Sequence, residues 1–256
     1  MKKIVLLSIA LASITLSAQD KNLFAKEIFE GKNATLPYRI MYPEDYRPEQ
    51  KYPLILFLHG SGERGDDNEK QLIHGSDFFI KYNRKIFPAI VIAPQCPQED
   101  YWGSRSNEGN ADFEFRFDKE FRPSLGAVSE LVQSFIASGK TDERRVYVGG
   151  LSMGGMGAFE LIQKMPDVFA AAFPICGGGD PSKTEYASNT ALWIFHGEDD
   201  NVVSCRYSEK MYDALKKVDA DVRFSLYPGV RHNAWDNAFA DTELMPWLFG
   251  HRKCAK

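Results

Sequence analysis

Short apolar runs closed by turn residues alternate along this chain with segments of helical period, and that alternation admits few architectures. The runs 39–42, 54–59, 89–93, 145–149, 170–175, 191–196 and 222–227 read as strands, and most are continuously apolar rather than alternating. A continuous run belongs in a sheet covered on both faces. Helical spacing predicts helices over 68–82, 123–138, 153–165, 207–218 and 242–249. Strand followed by helix, repeated, predicts an α/β protein: a single domain with a doubly wound, mostly parallel sheet and helices on both faces. With 256 residues, 44% of them hydrophobic and 26% charged, the chain is long enough for one large core, and disordered and collagen-like classes are excluded. No repeat or linker divides it.

The N-terminus reads differently. Lys2 and Lys3 precede an apolar run over 4–16 that is too short to span a bilayer, and Ser17-Ala18 offers small residues before Gln19. Residues 1–18 are therefore expected to be a secretory signal peptide, with the catalytic domain over 19–256. No cysteine follows the apolar run, so no lipid or membrane anchor is expected, and the protein should be exported or periplasmic. A net charge of −4 and a pI near 5.8, without any basic run, argue against nucleic acid as a partner. The oligomeric state is left open.

Cys96, Cys176, Cys205 and Cys254 lie in a chain whose expected compartment permits disulfides, so one bridge and buried free thiols both remain open. Neither C-x-x-C nor H-E-x-x-H occurs, and no metal is expected.

In a sheet of this kind ligands gather at the carboxyl ends of the strands. Polar chemistry follows four of them here: HGSGERGDD from His59, GGLSMGG from Gly149, HGEDDNVV from His196 and PGVRHNAWD from Pro228. The segment Gly150-Leu151-Ser152-Met153-Gly154 matches G-x-S-x-G between an apolar strand and a helix. Its glycines suit a turn too sharp for side chains, and such a turn exposes the Ser152 hydroxyl. No lysine follows these glycines, so they are not a phosphate loop.

A serine hydroxyl is a weak nucleophile until a base takes its proton. In chain order the base should come last, which leaves His232, beyond the final strand, and His251 in the terminal HRKCAK. His232 is the candidate base. Asp200 is the candidate acid, with Asp199 and Glu198 beside it and Asp180 further off. For the oxyanion, the backbone N–H of Met153 is expected to pair with that of Ser61, Gly62 being the alternative. His59 is expected to brace that loop.

LHGSGERGDDN, IAPQCP, GLSMGG, PICGGGDP, HGEDDNVV and YPGVRHNAWD, in that order, resemble the α/β-hydrolase superfamily. The likeness is to its secreted serine esterases related to feruloyl esterases, and to the prolyl-oligopeptidase-like and phospholipase/carboxylesterase-like groups. It runs from about Leu36 to Phe249. The resemblance implies the α/β-hydrolase fold, Ser152, Asp200 and His232 as triad, and no cofactor. H-G-x-x-D-x-x-V selects Asp200 in particular.

The expected activity is a serine carboxylesterase acting on short or aromatic acyl esters, of acetyl or feruloyl type, possible substrates including small molecules and plant saccharides. A serine peptidase, or an inactive glycan-binding surface protein, is the alternative. Trp102, Arg105 and Trp235 are expected to line the substrate site, since aromatic rings give flat apolar walls and an arginine holds polar substituents. Phe113, Phe115 and Phe117 could join them or fill a half-buried edge strand.

Overall fold

The computed structural model describes residues 21–104, 114–115, 117–118 and 120–254. One eight-stranded sheet has the order β1-β2-β4-β3-β5-β6-β7-β8. Its strands are β1 (Ala25–Glu30), β2 (Thr35–Met41), β3 (Tyr52–Leu58), β4 (Ile90–Pro94), β5 (Thr141–Leu151), β6 (Ala171–Ile175), β7 (Ala191–Gly197) and β8 (Val222–Tyr227). The β1–β2 and β2–β4 pairs are antiparallel, and every pair from β4 through β8 is parallel. The helices are α1 (Ser76–Asn83), α2 (Pro123–Ala137), α3 (Met153–Lys164), α4 (Thr184–Ala187), α5 (Arg206–Lys217), α6 (Trp235–Ala240) and α7 (Leu244–Gly250).

The period of two in the strands divides the core. Leu54, Leu56, Leu58, Val146 and Val148 face one cluster with Leu125, Val128 and Leu131 of α2, Phe159 and Ile162 of α3, and Met211 and Leu215 of α5. Ile55, Phe57, Tyr147, Phe173 and Phe195 face the other, with Phe78 and Phe79 of α1 and Leu244, Trp247 and Leu248 of α7. Strands buried on both faces cannot show polar alternation, which is why β3, β4, β6 and β7 are buried at every position. Each fully buried large apolar side chain contributes on the order of 2 kcal/mol of transfer free energy.

Four elements depart from the sequence reading, one of them α4, which at four residues is too short to show a helical period. β1, AKEIFE, was missed because it is an edge strand, mostly exposed and carrying charges where a core strand would be apolar. The helix expected over 68–82 is split: a 3-10 turn spans Lys70–Leu72, and Gly75 at φ +84° resets the chain before α1. α6 was also missed, being six residues long with a single buried residue, Ala238.

Residues 1–20, which include the expected signal segment, lie outside the described residues. Among the described residues no helix is long and apolar enough to cross a membrane. All four cysteines are free thiols.

Candidate active site

β5 ends at Leu151 and α3 begins at Met153, so Ser152 alone makes the reversal, at φ 53° and ψ −115°. That region is closed to most side chains and is held here by its surroundings. The Ser152 N–H donates to the carbonyl of Ile175 at 2.8 Å, and the Ser152 carbonyl accepts from Met156 N–H at 3.1 Å. A Cβ on Gly150 would collide with the Gly154 carbonyl, and one on Gly154 with the Leu58 carbonyl. These glycines thus let β5, α3 and the end of β3 converge on one point. Met153 opens α3, so its N–H has no acceptor within the helix, and the positive end of the helix faces the serine.

His232 lies beyond β8, with Nε2 2.9 Å from Ser152 Oγ and Nδ1 2.6 Å from Asp200 Oδ2. Asp200 follows β7 by three residues and its side chain is wholly buried. Its Oδ1 accepts from the amides of Val202 and Val203, both at 2.9 Å. Burial alone would raise this carboxyl. Hydrogen bonds from His196, His232 and the Val203 and Val202 amides outweigh it and hold Asp200 well below the usual carboxylate range. An ionised carboxylate, an imidazole and a hydroxyl therefore form one unbroken chain. Asp199 and Glu198 are exposed, and Asp180 instead accepts from Ser182 at the start of a 3-10 turn.

The loop after β3 lies against the Ser152 turn. A Cβ on Gly60 would meet Leu151 Cδ1 at 2.8 Å. Ser61 begins a 3-10 turn there, and its carbonyl accepts from Arg64 Nε at 3.1 Å while Arg64 Nη1 donates to the carbonyls of Gln98 and Asp100. His59 braces the base of this loop. Its Nε2 accepts from Cys96 N–H at 2.9 Å, so the ring hydrogen is on Nδ1, which donates to the Gly60 carbonyl at 2.6 Å. Burial pushes the His59 imidazole down to about 4, so it is neutral at neutral pH.

The expected substrate residues separate. Trp235, at the start of α6, is partly exposed, and its ring meets His232 edge to face at 5.7 Å and His74 at 5.0 Å. Trp102 does not line the site: it is fully buried in the core beside Gly157, with its ring 5.3 Å from that of His59. Burying the indole against α3 removes it from any ligand. Arg105 and Phe113 lie outside the described residues. Phe115 packs edge to face on Tyr207 and joins Met156 and Val203, whereas Phe117 stacks on Tyr186.

His196 was not assigned a role from the sequence. It is fully buried, with Nε2 3.2 Å from Asp200 Oδ2. Its signal was the H-G-x-x-D spacing, which puts His196 at the end of β7 and Asp200 in the loop just beyond it. Cys176, His196 and Asp200 offer ligand atoms within 4.8 Å of one another, the only such group of three or more among the described residues. As a metal site the set fits poorly. Both His196 nitrogens and both Asp200 oxygens have hydrogen-bond partners, and burial pushes the Cys176 thiol up to about 12.

Comparison with known proteins gives the family of the chain. Residues 46–244 match the phospholipase/carboxylesterase family. Lysophospholipase-like protein 1 of Mus musculus is 27% identical over 76% of this chain and 84% of its own length. Acyl-protein thioesterase 1 of Neurospora crassa is 26% identical over 70% of this chain and 80% of its own. The crystal structure of a thermostable esterase superposes with a TM-score of 0.82 at 34% identity, covering 92% of this chain but only 64% of that one. The feruloyl esterase module from Clostridium thermocellum complexed with sinapinate, at 17% identity and a TM-score of 0.61 over 91% of this chain and 90% of its own, shares the fold. The chain belongs to the phospholipase/carboxylesterase family of the α/β-hydrolase superfamily, and is a serine hydrolase of the carboxylic ester type.

Proposed function

We propose that the protein hydrolyses short or aromatic acyl esters through an acyl-enzyme, with Ser152 as nucleophile, His232 as general base and then acid, and Asp200 as the orienting acid. The observation that carries this reading is the continuous hydrogen-bonded chain from Ser152 Oγ through His232 to Asp200. In the first half-reaction His232 takes the hydroxyl proton as Ser152 Oγ attacks the ester carbonyl, and then gives it to the departing alcohol. In the second, His232 takes a proton from water, which attacks the acyl-enzyme and frees the acid and Ser152. The negative oxygen of each tetrahedral intermediate is assigned to the N–H groups of Met153 and Ser61, at the head of α3 and on the β3 loop.

Trp235 supports an aromatic or saccharide substrate, because it presents a partly exposed ring beside the base. Neither metal nor cofactor enters these steps, and the proposed partner is the small-molecule or saccharide ester itself. A thioester is the second reading, supported by the acyl-protein thioesterases among the relatives. We propose in addition that the chain is exported after cleavage before Gln19, on the strength of its charged, apolar and small-residue order. N-terminal sequencing of the mature protein tests that.

The activity test has two arms. A fluorophosphonate should label the wild type at Ser152 and leave Ser152→Ala unlabelled. A panel of acetyl and feruloyl esters, long-chain esters, acyl thioesters and peptides should then show the highest kcat/KM on the first two. Faster turnover of thioesters or peptides would replace the substrate assignment, and absence of labelling would remove the mechanism.

A further inference from the structure

The acid of the proposed triad accepts three close hydrogen bonds on two oxygens, and two further buried side chains, His196 and Cys176, lie against it. Val202 and Val203 amides serve Oδ1, and His232 Nδ1 serves Oδ2. His196 approaches the same Oδ2: its Nε2 lies 2.9 Å from the Val203 carbonyl and 3.2 Å from Oδ2. Facing two acceptors, Nε2 must carry the hydrogen and share it between them. The opposite nitrogen, Nδ1, is 2.7 Å from Ser208 Oγ on α5, and that hydroxyl also reaches the Gly177 carbonyl at 3.0 Å. His196 is therefore clamped at both nitrogens, between the loop that carries Asp200 and the first turn of α5. The remaining titratable group against Asp200 is Cys176, beyond β6, which burial keeps as a thiol.

Two imidazoles thus share one carboxylate oxygen, one toward Ser152 and one toward the core. Without His196 the only close hydrogen bond on Oδ2 would come from His232, the group Oδ2 has to orient, and the terminal torsion of Asp is broad enough for a weakly held oxygen to shift. The buried Nε2–H of His196 narrows that range from the core side. We propose that His196 is a positioning residue, which holds the Asp200 carboxylate in the orientation that presents Oδ2 to His232 and so fixes the imidazole over Ser152. This deepens, and rests on, the triad assignment above. His196 never touches substrate. Its effect should fall on turnover rather than on substrate affinity.

The test compares His196→Phe, which keeps a ring but no donor, with His196→Gln, whose amide can return a hydrogen to Oδ2. Activity is expressed per site titrated with fluorophosphonate, so that misfolded molecules are not counted. For His196→Phe we expect kcat to fall on the order of 100-fold with KM unchanged, as for a small misplacement of catalytic groups. His196→Gln should recover most of the loss. The low-field proton resonance of the His232 Nδ1–Asp200 hydrogen bond should be sharp in the wild type and His196→Gln and lost in His196→Phe. Ser208→Ala, which removes the outer clamp alone, should give a smaller loss of kcat and serves if His196→Phe does not fold.

Wild-type kcat per titrated site in His196→Phe, or in Ser208→Ala if only that variant folds, would overturn the assignment. So would a loss that His196→Gln does not repair. Failure of the underlying triad is distinguishable, since wild-type protein would then resist the fluorophosphonate, or Asp200→Asn would keep wild-type kcat.

Discussion

Gly154, in the first turn of α3, lies against the carbonyl of Leu58 at the end of β3 so closely that a Cβ on it would sit far inside van der Waals contact with the oxygen. Both neighbours are backbone, so neither can swing aside. Gly154→Ala should therefore lose more than about 4 kcal/mol of stability, the range reserved for buried clashes of this kind. Gly62, whose Cβ would meet nothing within 4 Å, is the control, and Gly62→Ala should stay within about 0.5 kcal/mol. Denaturant unfolding of both variants checks the pair.

Asp200 and Asp199 adjoin in sequence but differ in burial. Asp200→Asn should lower kcat about ten-thousand-fold, because an amide cannot hold the imidazole in the required tautomer. Asp199→Asn should leave kcat near wild type, and the reverse ranking would name the wrong acid. Stability follows the same carboxylate. Its pKa in the folded protein lies below the ordinary 3.8, so its contribution is fully present above that pH and is lost as pH falls through the depressed folded value. Acid unfolding of Asp200→Asn should lack that step.

His59 gives stability a pH dependence of its own. Its pKa falls from 6.5 to about 4 on folding, chiefly through burial. Between those values the unfolded chain binds the proton and the folded one does not, so stability decreases as pH falls from 6.5 to 4. The full loss is about 3 kcal/mol, since each tenfold difference in proton affinity between the folded and unfolded chain is worth about 1.4 kcal/mol. Unfolding free energies of wild type and His59→Gln across that range test it. The variant should be less stable at pH 7 but should lack this component of the slope; parallel slopes would remove His59 as its source.

Two tryptophans with the same expected role should now behave differently. Trp102→Ala empties a core site and should cost about 3–5 kcal/mol of stability. Trp235→Ala should fold normally and raise KM for aromatic acyl esters about tenfold, the size of a lost ring contact, with little change for acetyl esters. Thermal unfolding and steady-state kinetics on both variants decide it. An unchanged KM in Trp235→Ala would take that ring out of the binding site.

By itself the sequence determined the strand and helix alternation and the parallel core, because β3, β4, β6 and β7 are apolar at nearly every position and carry their burial in their composition. The sharp strand-to-helix turn at Ser152 was legible in the same way, since such a turn needs small residues two places to either side. Asp200 and His232 could be named because each lies just beyond a strand end, and in a parallel sheet those ends converge.

What the tertiary structure decided depends on which surfaces meet. Trp102 and Trp235 are alike as residues, and only the packing of α3 and His59 buries one while the other stays open beside His232. His196 read as the polar end of a strand until Asp200, Ser208 and the Val203 carbonyl closed around it. β1 showed no apolar period because an edge strand makes its ladder with one neighbour and leaves its side chains mostly to water. Spacing along a chain records what each residue can do, and burial, which settles what it does, is set by residues distant in sequence.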